Sequence, residues 1–346
     1  MNRKYRILLG VFVGLAVLAV TASFYAYQLF YAPNILIDKP DVLLIIRPEA
    51  NFKEVRDSLE KKGAINDMIS FAFVSKILGY QDKVKPGRYL IGQNTTNLQI
   101  VRKLRAGDQA PVRVTLSNAR LKKDIAAKLC KNLPLDSAEL LAKLNTPSIV
   151  RQYGFDTATI TAMFIPNTYE MYWTTTHDKL LERMHAEYKK FWNEKRTKKA
   201  QEIGLTPLQV SIMASIVEAE MKKKEEAKRI AGVYMNRLNF DDRKLRADPT
   251  VIYAIGNFNI KRLLYKDLEF DSPYNTYKYE GLPPSCICVP SIHAIDAVLE
   301  YEKHQYLFFC AKEDLSGYHN FAVTLAEHTQ NAKRYQAALD QLGIRR

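Results

Sequence analysis

Cysteine, glycine, proline and tryptophan are all sparse in this 346-residue chain: four Cys, 14 Gly, 14 Pro and two Trp. Four cysteines, Cys130, Cys286, Cys288 and Cys310, are too few for a disulfide framework. They form no CxxC, and no histidine pair stands at zinc spacing, so a structural metal site is not expected. The Cys286-x-Cys288 pair is read as free thiols, because a bond between residues two apart is strained. Too little Gly and Pro for a fibrous or low-complexity chain, together with 47% hydrophobic residues, leaves a globular protein of about two domains. Also missing are a Gly-x-Gly-x-x-Gly phosphate loop, a Gly-x-Ser-x-Gly elbow and an HExxH helix, which removes the commonest nucleotide, hydrolase and zinc-protease readings.

Charge is absent from one long stretch. After Arg3, Lys4 and Arg6 no charged residue occurs from Ile7 to Ile37, and Ile7 to Tyr31 is almost continuously apolar. At ~1.5 Å per residue such a helix is roughly 37 Å long, enough to cross a ~30 Å hydrocarbon layer. Val20-Thr21-Ala22 is a passable cleavage site, so a signal peptide is the alternative, but the run continues through Phe24, Tyr25, Tyr27, Leu29 and Phe30. We therefore expect a single-pass inner-membrane protein: residues 1–6 a cytoplasmic tail held by its basic residues, 7–31 the transmembrane helix, and the remainder periplasmic. The net charge of +14 then faces lipid and acidic polymers rather than nucleic acid. The basic runs at 61–62, 122–123 and 222–224 are interleaved with acids at helical spacing, as on a solvated helix face.

The exported part is expected to be α+β. Asp41 to Ile46 is a strand, two helical patterns follow, ending at Gly63 and Gly79, and Lys85-Pro86-Gly87 turns into a strand at 88–91. This strand–helix–helix–strand order, within residues 38–116, resembles a LysM-like glycan-binding module. Residues 117–152 are expected to be a helical bridge and 153–346 a larger mixed α+β catalytic domain.

The chemistry is sought at one helix. Thr206-Pro207 is a capping hydroxyl followed by Pro at the first helical position, and it opens a helix apolar nearly all round. Glu218 ends that run, with Ser215, Ala214 and Ser211 on the face below it, small enough to leave room for a ligand. A carboxyl against apolar neighbours resists ionisation and can donate a proton near neutral pH. Glu220 is about 200° around the helix, so it is not read as the partner of Glu218. The competing reading of Glu218 is a helix-ending salt bridge.

The motifs tip that balance. Ala214-Ser215-Ile216-Val217-Glu218-Ala219-Glu220, Val233 to Leu238, Leu245 to Tyr253, Ser272 to Tyr277, Gly281-Leu282-Pro283-Pro284 and His319-x-Phe321 with Glu327-His328 occur in order, after Phe164 to Tyr169. The whole chain resembles the endolytic murein transglycosylases, the MltG/YceG-like family. It departs from the family pattern at Ala219, often charged there, and at Gly317-Tyr318-His319, where Gly-Gly-His is usual. The resemblance implies a lyase that cuts peptidoglycan glycan strands between N-acetylmuramic acid and N-acetylglucosamine to leave 1,6-anhydro ends, without a cofactor or metal. It implies Glu218 as the catalytic acid and base, and strand termination beside cell-wall synthases as the setting. Ser215, Asn236, Arg237, Tyr253, Asn275, Thr276, Tyr277 and Glu280 are expected around the sugar, although Tyr253 is equally a core residue by period, Asp248 is read as a helix cap and His319 as a structural histidine. A hydrolytic muramidase and a non-catalytic glycan-binding scaffold are the competing functions.

Overall fold

Uncharged from Ile7 onward, the first segment folds as one helix, α1 (Arg3–Tyr31), long and apolar enough to cross a membrane and without a buried residue. The structure, a computed structural model, describes residues 3–260 and 263–341. Residues 1–2 of the expected cytoplasmic tail and residues 261–262 and 342–346 of the expected catalytic domain lie outside the described residues. The chain divides into two units, Met1–Arg113 with Glu170–Thr175, and Val114–Tyr169 with Thr176–Arg346.

The first unit continues through β1 (Asp41–Ile46), α2 (Phe52–Lys61), α3 (Met68–Ile77), β2 (Gly87–Gly92) and α4 (Asn97–Ala106). β1 and β2 pair antiparallel, with Asp41 opposite Gly92 and Ile46 opposite Gly87. Side chains alternate across a strand, so Leu44 and Ile46 of one and Tyr89 and Ile91 of the other turn inward onto Val55, Leu59, Phe71 and Val74 of the helices. The caps are local. Asn51 and Asp67 accept the first N–H groups of α2 and α3, Thr96 and Gln99 form a reciprocal box on α4, and Gly107 ends α4 at φ 76°. A buried amide network closes the base of α1: Asn34 donates to Asn97 Oδ1 (2.6 Å), and Asn97 donates to Ser70 Oγ and to the Leu29 carbonyl (both 2.9 Å). Buried amides need such partners, so these bonds fix the end of α1 against α3 and α4.

Then come β3 (Val112–Leu116), α5 (Lys122–Cys130), α6 (Ser137–Leu144), α7 (Pro147–Val150), β4 (Asn167–Met171), α8 (His177–Phe191) and α9 (Glu194–Glu202). β3 and β4 make a second two-stranded sheet. The second unit goes on with α10 (Pro207–Glu220), α11 (Ala227–Leu238), α12 (Asp248–Ile255), α13 (Tyr265–Leu268), α14 (Ile292–Leu299), β5 (Phe308–Ala311), β6 (His319–Ala322) and α15 (Leu325–Gln341). β5 and β6 pair antiparallel under α15. Segment 117–152 belongs to this second unit, where Ile125, Leu129, Leu140 and Leu144 are fully buried. The architecture is mixed α+β, and its second core is built around α10.

Candidate active site

α10 starts where the sequence puts it. Thr206 Oγ1 accepts the Gln209 N–H, Gln209 Oε1 accepts the Thr206 N–H, and Pro207 fills the first helical position, where a missing N–H costs nothing. Every residue from Val210 to Val217 is buried, because α11, α12 and α14 pack round the helix. The helix therefore delivers its last turn, Glu218 and Glu220, to a fixed place at the edge of the core.

Glu218 Oε2 accepts two hydrogen bonds from Ser291, from its backbone N–H (3.2 Å) and from its hydroxyl. Ser291 in turn caps α14 through Ala294 N–H (3.1 Å), so the carboxylate sits at the positive end of that helix. One side of Glu218 faces a cavity of about 140 Å³ shared with Asn118, Arg120, Tyr253, Phe258 and Cys288. Arg120 lies 4.4 Å from the centroid of the Phe258 ring, a cation–π contact. The cavity wall includes the buried segment 286–289, stitched to α10 by Ser215: its hydroxyl accepts the Ile287 N–H (3.0 Å) and donates to Ile212 O (2.7 Å), and its carbonyl accepts the Cys288 thiol (3.4 Å). Cys286 and Cys288 are free thiols. Burial, and then the nearby Glu218, pushes Cys288 up to about 12.

Glu220 has a different environment on the other side of the helix. It accepts a hydrogen bond from the Tyr234 hydroxyl at 3.1 Å. Burial, and then the charge of Asp248, pushes its carboxyl up to about 7; Tyr234, Arg237 and Lys222 pull the other way and are outweighed. Tyr277 donates to Asp248 Oδ1 at 2.6 Å, and burial followed by Asp248 drives the Tyr277 phenol far above its ordinary value. The Arg237 guanidinium lies 5.7 Å from the Tyr234 ring centroid and is held by the carbonyls of Leu307 (2.6 Å) and Leu245. Glu220, Tyr234, Arg237, Asp248 and Tyr277 thus form one electrostatic cluster.

The expected sugar-binding residues divide accordingly. Tyr253 shares the cavity of Glu218, and Arg237 and Tyr277 stand in the cluster of Glu220. Ser215 is wholly buried between α10 and Ile287. Asn236 gives its amide to the carbonyls of His304 (2.8 Å) and Tyr306 (2.9 Å). Asn275, also wholly buried, braces its loop through the Leu268 and Phe270 carbonyls (both 2.8 Å) and accepts the Tyr277 N–H (3.0 Å). Thr276 Oγ1 accepts the Ala247 N–H (3.0 Å) and bonds Thr250 (2.9 Å). These two loop residues aim Tyr277 at Asp248. Glu280 is exposed beside Gly281, whose φ of 78° makes the turn. His319 is paired with buried Glu226, Nδ1 to Oε2 at 2.9 Å, with its own N–H on Oε1 at 3.1 Å. Tyr234 is the member that the reading for function passed over, and Asp248, read as a helix cap, is instead the first residue of α12, which starts without a side-chain cap, and it accepts from Tyr277. A helical tyrosine and an acid at a helix start are the only signals, and neither spacing reveals that both converge on Glu220.

An anchor-like helix, an α+β body and an acid-bearing buried helix define the class. The chain belongs to the YceG-like family, whose pattern matches residues 44–334. Endolytic murein transglycosylase of Bacillus subtilis (strain 168) is 44% identical over 123 residues, which is 36% of this chain and 33% of that protein. Endolytic murein transglycosylase of Streptococcus pneumoniae (strain D39) is 27% identical over 350 residues, 90% of this chain and 62% of its own length. The chain thus spans about a third to three fifths of the curated relatives it matches. The crystal structure of a yceG-like protein from Listeria monocytogenes matches with a TM-score of 0.56 at 28% identity, over 85% of this chain and 99% of that one.

Proposed function

We propose that the protein is an endolytic lytic transglycosylase of peptidoglycan, and that Glu218 moves the proton. The observation that carries this reading is that Glu218, at the end of the buried helix α10, lines the cavity of Tyr253 and Phe258. In the proposed reaction the protonated acid gives its proton to the oxygen bridging N-acetylmuramic acid and N-acetylglucosamine as the C1–O bond breaks. The carboxylate left behind takes the proton from the muramyl C6 hydroxyl, whose oxygen closes on C1. No water is consumed, and the acid ends as it began. Because the nucleophile belongs to the same sugar, proximity replaces the second carboxylate that ordinary glycosidases need. Ser291 is proposed to hold the Glu218 carboxyl at the rim of that cavity, where Tyr253 and Phe258 offer aromatic faces to a sugar.

A second reading starts from Asp248, whose neighbour Pro249 lines the cavity of Glu218: a second carboxylate that held a water there would make the enzyme a muramidase. Product masses from purified glycan strands decide between the two: anhydro ends support the lyase, and reducing ends that have gained water overturn it. If neither product forms while strands still bind, the non-catalytic scaffold is the answer.

We infer the setting from the first unit. α1, with Arg3, Lys4 and Arg6 at its start, suits a single inner-membrane span with a cytoplasmic N-terminus and a periplasmic catalytic unit. The β1–α2–α3–β2 order supports a LysM-like glycan-binding role, and cell-wall synthases are the partners that strand termination requires. A reporter active only outside the cytoplasm, fused after Gln341, checks the orientation; silence there would reverse it.

A further inference from the structure

α3 turns a stripe of apolar side chains outward. Ile69 is 84% exposed, Phe73 49% and Ile77 55%, and their spacing of four sets them along one side of the helix. Its neighbours in the first unit do otherwise: α2 exposes Glu54, Asp57 and Glu60, and α4 exposes Gln99, Arg102 and Arg105. A single exposed isoleucine is ordinary, whereas three large apolar side chains in a row mark a surface that is covered by something.

What covers the stripe follows from where α3 is held. α1 packs on α3 and α4, with Leu29 and Phe30 against the core of the unit. Asn97 donates both to the Leu29 carbonyl and to the Ser70 hydroxyl (each 2.9 Å), and Ser70 is the neighbour of Ile69 on α3. The start of α3 is thereby tied to the last turn of α1. Roughly 20 residues of helix cross a ~30 Å hydrocarbon layer, so that counted from Ile7, the first residue after the basic start, the outer boundary falls near Tyr27. Tyr25, Tyr27 and Tyr31 are exposed on α1 at that level, as in the aromatic belts of membrane surfaces. Leu29 and Phe30, and the start of α3 with them, then stand in the headgroup layer.

The charges fit the same surface. No acid occurs in Met68–Ile77 or Asn97–Ala106, the two helices packed on the end of α1, while Lys76, Arg102 and Arg105 are exposed on them. An apolar stripe edged by cations suits phospholipid: branched and aromatic side chains sink to the acyl boundary, and long cations reach the phosphates. With ten residues, α3 is too short to cross the bilayer and long enough to lie on it. We infer that α3 is an interfacial helix, with Ile69, Phe73 and Ile77 in the surface of the bilayer that α1 spans and Lys76, Arg102 and Arg105 on lipid phosphates, so that the first unit is held down on the membrane instead of swinging on α1. The inference rests on the reading of α1 as a membrane span.

The test uses the full chain in vesicles of phosphatidylethanolamine and phosphatidylglycerol, doped with phosphatidylcholine brominated on its acyl chains, a quencher confined to the bilayer. Phe73→Trp on α3 and Val17→Trp midway along α1 each carry a probe, read as the difference from the parent chain with its two tryptophans. Both probes should lose roughly half their emission to the bromines, since an interfacial helix buries its apolar face ~5–10 Å into the headgroup and acyl boundary. Adding Ile69→Glu and Ile77→Glu should abolish the loss at position 73, raise its quenching by aqueous acrylamide about threefold and leave position 17 unchanged. Both positions are exposed, so the thermal transition should be kept; if it is not, Lys76→Glu, which leaves the stripe intact, should still reduce the bromine quenching at position 73. Bromine quenching at 17 with position 73 open to acrylamide and untouched by bromines overturns the inference and leaves the span standing. A probe at 73 shielded from both quenchers means that protein covers the stripe, a second copy where the shielding rises with the protein-to-lipid ratio, and overturns it equally. Bromine quenching at 73 without any at 17 would sink the span and leave α3 as a membrane-surface contact.

Discussion

Glu218 and Glu220 sit two residues apart on one helix and live in opposite environments. The first accepts two hydrogen bonds from Ser291 and lines the cavity of Tyr253 and Phe258. The second is half-buried, accepts a hydrogen bond from Tyr234, and is held up to about 7 by burial and then by the charge of Asp248. The same side chain thus meets a cavity on one face and a polar cluster on the other, because a 200° turn of the helix faces it toward different neighbours. What decides between the two roles is the set of partners, drawn from α11, α12 and the loop of Tyr277 on one side and from Ser291 on the other.

The sharpest way to break this contrast is to neutralise each acid in turn. Glu218→Gln should lower kcat on glycan strands by ~10³-fold or more, as loss of a general acid does, while Glu220→Gln should cost roughly tenfold or less. Strand cleavage followed by mass spectrometry reads both. If the losses are reversed, Glu220 is the acid and the proton-carrying role of Glu218 is wrong.

The next effect is on stability. The Glu220 carboxyl titrates at about 7 in the folded chain against 4.5 when free. A raised carboxyl favours the folded state fully only below the free value, so stability falls as pH climbs from about 4.5 to about 7 and levels off above that. At ~1.4 kcal/mol per unit the loss is about 3 kcal/mol at most. Denaturant unfolding of Glu220→Gln should lack this fall, and at pH 8 the variant should be the more stable protein. An identical pH profile in both proteins would show that the Glu220 carboxyl is not raised in the folded chain.

The elements were far more legible in the sequence than the site. Thr206-Pro207 announced α10, the charge-free run announced α1, and Gly63, Gly79 and the Lys85-Pro86-Gly87 turn bracketed the first unit, because caps and breakers act within a few residues. The small face beneath Glu218 looked like ligand space, yet Ser215 spends its hydroxyl on Ile287, 72 residues onward. In the same way Asn236, Asn275 and Thr276, polar residues of the kind that bind sugars, spend their hydrogen bonds on backbone groups of their own fold. The charge of Asp248 acts on Glu220 from 28 positions away and on Tyr277 from 29, and no local period encodes such convergence.

Smaller and opposite shifts sharpen the contrast. The fall in stability should end near the folded value of the Glu220 carboxyl, about 7. Asp248 raises that value and the Tyr234 hydrogen bond lowers it. Asp248→Asn should therefore move the end of the fall to lower pH and Tyr234→Phe to higher pH, each by about one unit. Ends that move together, or not at all, would take Glu220 out of the stability profile.

The gentlest test concerns the anchor. Ser291→Ala removes the cap of α14 and both the hydroxyl bond to Glu218 and the one to Ala294, for an expected loss of about 1 kcal/mol. Glu218→Gln removes the charge from the same contact while keeping an oxygen that can accept. If the two residues act as one anchor, their effects on unfolding free energy will not add: once Ser291 is gone, the second substitution should cost little, with a coupling of ~0.5 kcal/mol or more. Strict additivity would mean that Ser291 does not hold Glu218, and the carboxyl facing the cavity of Tyr253 and Phe258 would then owe its position to α10 alone.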